Sequence, residues 1–124
     1  IKLNITAIFT NEQLKETLKN INKNTPTILS VFAGRIADAG YDAEEVLKES
    51  VNLAKGYSNC EILWASTREI YNIIQAEHCG CHIITVPNGI LNKIENLGKD
   101  LNQFSLETVI DFYRDAKEAK FKIS

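Results

Sequence analysis

The feature that most constrains this chain is an alternation. Short apolar, β-branched runs trade places with longer segments whose apolar residues recur every three or four positions. "IKLNITAIF" reads as a strand, and Asn11 then opens a helical pattern carried by Leu14, Leu18 and Ile21. Thr25-Pro26 closes that helix, because the residue before proline is pushed out of helical geometry, and "TILSVFAG" follows as a second strand. Asp42 caps a helix with Val46, Leu47, Val51 and Ala54 on one face, and Gly56 stands beyond it as a C-terminal signal. "CEILWAS" is a third strand. Ser66 is expected to cap "TREIYNIIQAEHC", with Ile70, Ile73 and Ile74 as its stripe, and Gly80 separates that helix from a fourth strand, "HIITV". Pro87 and Gly89 mark the exit, ahead of a short apolar helix from about Ile90 to Leu97. Ser105 opens the last helix, "LETVIDFYRDAKEAKF", striped by Leu106, Val109, Ile110 and Tyr113, with basic residues toward its end as the helix dipole favours.

Four strand–helix units and a terminal helix imply an α/β fold with a parallel sheet and right-handed crossovers. With 44% hydrophobic residues, the 124 residues suffice for a core, and no linker divides them, so 1–124 reads as a single domain. Four parallel strands suit a small doubly wound domain or half of an eight-stranded barrel, whose units take roughly 30 residues each, and local pattern leaves both open. The opening directly on a strand, at Ile1 and without a preceding cap, reads as a piece of a longer chain.

The formal net charge of -2, with Lys and Arg spread along the chain, gives no electrostatic reason to expect nucleic acid or an anionic membrane as partner. No apolar run approaches the roughly 20 residues of a membrane-spanning helix, and no signal-peptide pattern heads the sequence. Three cysteines, two of them separated by one glycine, make a poor disulfide framework. A cytoplasmic protein is expected.

In parallel α/β folds, ligands meet the carboxyl ends of the strands. Ser66 and Arg68 lie at one such end and Arg35 at another, with Ser30 inside the second strand and Asn4 and Thr6 inside the first. Alternation places Asn4 with Thr6, Ser30 with Phe32, and Trp64 with Ser66 on shared faces. Polar side chains in such strands need partners, since each unsatisfied buried group costs roughly 1 to 3 kcal/mol. Ser66-x-x-Glu69 has the form of a capping box, and a helix start also offers amides and a positive dipole end to a phosphate. Two guanidinium forks, Arg35 and Arg68, at the exits of successive strands can hold one dianionic phosphate between them. Gly34 lets the backbone come close.

Other clusters read as structural. "EHCGCH" has the look of a metal cluster, but the spacing of His78, Cys79, Cys81 and His82 matches none of the usual zinc patterns, and no metal is expected. Cysteine serves well as a small buried apolar residue, which also covers Cys60. Asp38, Asp42, Glu44 and Glu45 enrich a loop and a first helical turn, where negative charge suits the dipole. Tyr57, Tyr71 and Tyr113 are assigned to packing.

"SVFAGRIADAG" and "LWASTREIYNIIQAEHCGC", the latter running on through His82 to "IITVP", resemble the second half of the transaldolase family, class I aldolases on a (β/α)8 barrel that include the fructose-6-phosphate aldolases. The resemblance extends over essentially all 124 residues, through "LGKDLNQFSLETVIDFYRDA". It implies that the strands are the fifth to eighth of a TIM barrel, followed by a C-terminal helix. It implies supporting catalytic roles for Asn4 and Thr6, the threonine handling the catalytic water. Ser30 and Phe32 would face the substrate, and Arg35, Ser66 and Arg68 would bind its phosphate. Family chemistry joins a lysine to a ketose carbonyl as a Schiff base and passes a dihydroxyacetone unit to an aldose phosphate. That places the protein in carbohydrate metabolism, in the pentose phosphate pathway, with a sugar phosphate as partner and no cofactor. The lysine belongs to strand four, outside this chain, so the segment alone is expected to be inert. Lys2 does not match it. Where the family commonly has Ser-Pro-Phe-Val-Gly-Arg, this chain has Ser30-Val31-Phe32-Ala33-Gly34-Arg35. The alternative is a non-catalytic half-barrel that binds phosphorylated small molecules or pairs with itself as a homo-oligomer to cover its open strand edges.

Overall fold

The computed structural model describes residues 2–123, with side chains through Lys117. Ile1, with which the first expected strand opens, and Ser124 lie outside the described residues, as do the side chains of the last basic residues. The elements run β1 (Leu3–Ile8), α1 (Asn11–Asn20), β2 (Thr27–Phe32), α2 (Ala33–Asp38), α3 (Ala43–Ala54), β3 (Cys60–Ala65), α4 (Tyr71–Cys79), β4 (Ile83–Ile84), α5 (Asn88–Leu91), a 3-10 turn at Ile94–Asn96, and α6 (Leu101–Ile123). The described residues form two compact units that divide between Ile94 and Glu95.

In the first unit the four strands are parallel and ordered β1-β2-β3-β4. A doubly wound sheet reverses its order at a switch point and is covered on both faces. Here the order never reverses. The side chains of Leu29, Val31, Cys60, Ile62 and Trp64 point to one face of the sheet. They share a core with Leu14 and Leu18 of α1, Ile36 of α2, Leu47 of α3, and Ala76 and Cys79 of α4. The helices therefore draw on a single face, each fully buried Leu or Ile contributing roughly 1.5–3 kcal/mol.

Caps explain several element boundaries. Thr10 accepts from the Gln13 amide while Gln13 Oε1 accepts from the Thr10 amide, a capping box that starts α1. Asp42 caps α3 by accepting from the Glu44 amide at 3.0 Å, as expected. Gly80 ends α4 at φ 80°, the left-handed conformation that glycine adopts without penalty.

Several boundaries differ from the sequence reading. Ala33 and Gly34 belong to α2 and not to β2, so Arg35 sits in a helical turn. The fourth strand is only Ile83–Ile84, and the apolar helix expected over 90–97 is divided into α5 and a 3-10 turn. In the second unit, α6 begins at Leu101, with Asp100 accepting from the Gln103 amide, so Ser105 lies inside the helix. There Lys99 also pairs with Glu107 and holds that carboxyl below the usual range.

A further difference is a bulge. Ile5 pairs with Leu29 and Ile8 with Val31, so β1 spends one residue more than β2 over this stretch. Ala7, at φ 59°, absorbs the extra residue. Its effect is to turn Ile8, which strict alternation would set beside Asn4 and Thr6, into the helix-side core at 3% exposure.

Candidate functional site

The face opposite the helices carries the polar strand residues. Ser30, buried on β2, donates through Oγ to Asn4 Oδ1 of β1 at 2.8 Å, so the polar groups of two strands satisfy each other. Thr6, exposed, follows Asn4 on the same side before the bulge. Phe32 is half-buried at the end of β2, with its ring 5.8 Å from that of Phe9. Lys2 is tied at 3.5 Å to Glu61 near the amino ends of the strands.

At the carboxyl ends, the exits of β2 and β3 touch. A Cβ on Gly34 would lie 1.8 Å from the Ser66 carbonyl oxygen and 2.8 Å from its Oγ, so only glycine fits. Gly34 is thus packed directly against Ser66. Arg35 follows Gly34 directly and is exposed in the first turn of α2.

Ser66 does not cap a helix. Its φ is 63°, a left-handed value rare outside glycine, and α4 begins only at Tyr71, with no side-chain cap at Ile70. The expected box with Glu69 is therefore not formed. Asn72, 8% exposed, takes over: its Oδ1 accepts from the Arg68 and Glu69 amides, each at 2.9 Å, while its Nδ2 donates to Gln75 Oε1 at 2.8 Å. Those amides are consequently engaged within the chain. Trp64 lies in the helix-side core at 2% exposure, and β3 ends at Ala65, one residue before Ser66.

Arg68 reaches Asp38 at the end of α2, with its NH2 nitrogen 3.0 Å from Oδ2. Asp38 therefore does more than enrich a loop. Sequence reasoning missed both partners of Arg68, Asp38 and Asn72. The position of Asn72, four residues after Arg68, was a local signal for the backbone contact, and nothing local signalled Asp38.

The residues of "EHCGCH" are put to separate uses. Cys79 donates to the Glu44 carbonyl at 3.7 Å from within the core. His82 Nδ1 accepts from the Ile62 amide at 3.0 Å and so joins β3 to the last strand. Burial pushes the Cys81 thiol up to about 12, with Cys79 adding to the effect. Burial also raises Cys60 and, together with Glu44, Cys79. Among the described residues no three His, Cys, Asp or Glu side chains are gathered to hold a metal ion, and no helix is long and apolar enough to cross a membrane. Tyr57 packs against the core as expected, whereas Tyr71 and Tyr113 are exposed.

The family described as transaldolase/fructose-6-phosphate aldolase matches residues 1–123. A probable transaldolase of Nitrosopumilus maritimus is 30% identical over 122 residues, 97% of this chain and 51% of that protein. One from Desulforudis audaxviator is 29% identical over 120 residues, covering 95% and 53%. Another, from a Thermoanaerobacter species, is 34% identical over 92 residues, covering 73% and 41%. The chain spans about half the length of the curated relatives it matches. The sequence blocks, the α/β architecture and these matches together place the chain in the transaldolase/fructose-6-phosphate aldolase family.

Proposed function

We propose that this chain is the second half, strands five to eight with a C-terminal helix, of a (β/α)8 barrel. In this reading it supplies the phosphate-binding side of a cytoplasmic transaldolase-like enzyme acting on ketose phosphates. The sequential, singly covered sheet supports the barrel, because a barrel is such a sheet closed on itself.

The observation that carries the function is the contact of Gly34 with Ser66. It brings the segments bearing Arg35 and Arg68 to one place at the carboxyl ends of neighbouring strands. Arg35, Arg68 and the Ser66 hydroxyl then bind the substrate phosphate, and Ser30, Asn4 and Phe32 line the approach to the reacting carbons. Thr6 assists the catalytic water. The Schiff-base lysine lies outside residues 1–124; its amine condenses with the ketose carbonyl, the bond beyond it cleaves, and a dihydroxyacetone unit passes to an aldose phosphate. This chemistry calls on no metal or organic cofactor.

Borohydride trapping with fructose 6-phosphate, read by intact mass on the full natural protein, tests the reading. The expected product is one reduced dihydroxyacetone unit on a lysine outside this segment. Absence of any adduct, with fructose 6-phosphate still bound, would favour a non-catalytic phosphate-binding barrel.

A further inference from the structure

We propose that Asp38 is a positioning residue that holds the Arg68 guanidinium ready for the substrate phosphate, an inference that rests on Arg68 being a phosphate ligand. Arg68 is held at both of its ends. Its backbone amide donates to Asn72 Oδ1 at 2.9 Å, and its NH2 nitrogen meets Asp38 Oδ2 at 3.0 Å. A guanidinium carries five N–H donors in a rigid fork, so a contact through one nitrogen leaves the others for a second anion.

The hold matters because Arg68 has somewhere else to go. A cavity of about 350 Å³ between α2, α3 and α4 is lined by Trp64, Asn72, Gln75 and Asp42 as well as by the Arg68–Asp38 pair. Arg68 is half exposed, with four rotatable side-chain bonds, and an arginine free to occupy that space would have to be ordered again each time phosphate binds. Fixing one corner of the fork in advance removes part of that cost. Asp38 comes from the helix that follows β2 and Arg68 from the exit of β3. The pair thereby joins the two segments that also meet at Gly34 and Ser66.

The test measures inorganic phosphate binding and fructose 6-phosphate kinetics on the full natural protein carrying Asp38→Ala, Asp38→Asn, Arg68→Ala, or Asp38→Ala with Arg68→Ala. An exposed ion pair sets the scale, so Asp38→Ala should weaken phosphate binding roughly two- to fivefold. It should raise KM by the same factor with kcat and melting temperature unchanged, which a merely structural role would not do. Asp38→Asn, which keeps an acceptor, should restore part of the loss. The double variant should bind no more weakly than Arg68→Ala alone. Unchanged or tighter binding in Asp38→Ala, with Arg68→Ala still weakened, overturns the positioning role and leaves the proposed function standing. Unchanged binding in Arg68→Ala overturns both.

Discussion

On the helix-covered face of the sheet, Leu29, Val31, Ile62 and Trp64 are each at most 2% exposed. On the opposite face stand Asn4 and Thr6 of β1, both exposed, and Ser30 and Phe32 of β2, while β3 places Leu63 there at 6% exposure. The first face is held by area removed from water, which needs volume but no direction. The second is held by a directed contact, Ser30 to Asn4, and a hydroxyl there satisfies its neighbour only at one position. The larger apolar core thus lies on one side of the sheet, and the polar strand residues of β1 and β2 lie on the other.

The comparison breaks most readily at Trp64. Trp64→Ala should cost about 3–5 kcal/mol, the usual penalty for emptying a large buried site, measured by denaturant unfolding. Phe32→Ala on the opposite face should cost clearly less, and equal losses would erase the distinction between the faces. Gly34→Ala comes next. With no room beside the Ser66 carbonyl, it should destabilise by roughly 1–3 kcal/mol or more and shift phosphate binding as well, read by melting and titration.

Ser30→Ala removes one neutral hydrogen bond and should cost about 0.5–1.5 kcal/mol. Because the stranded partner Asn4 is exposed, the lower part of that range is expected, and a loss as large as that of Trp64→Ala would mean that the polar face is a second core. Thr6→Ala should change stability by no more than about 0.5 kcal/mol while lowering turnover of the full enzyme. A purely structural threonine would show neither.

Much of this division is legible in the sequence. The short apolar runs "TILSVF" and "CEILWA" and the three-and-four spacing of Leu14 with Leu18, and of Leu47, Val51 and Ala54, lead to the observed strands and helices, because burial of one helix face imposes that spacing directly. The hidden features depend on partners distant in sequence or on single backbone torsions. Nothing in "NITAI" announces that Ala7 adopts a positive φ and redirects Ile8. Ser66 has the composition of a cap, yet its left-handed backbone removes it from the helix and Asn72 supplies the accepting oxygen. The Arg68–Asp38 pair spans 30 residues, and only the packing of α2 beside the exit of β3 brings it together. Arg35, Ser66 and Arg68 could be picked out as residues from their place after strands; their mutual arrangement could not.

The contact between Gly34 and the Ser66 carbonyl has a consequence for anyone rebuilding this protein. The segments after β2 and β3 are not separate modules, since neither can be lengthened or replaced by a loop from a homologue without matching the other across a gap that admits no extra atom. Grafting new specificity here means transplanting both segments as one piece, and libraries that randomise one alone will mostly sample chains that cannot close.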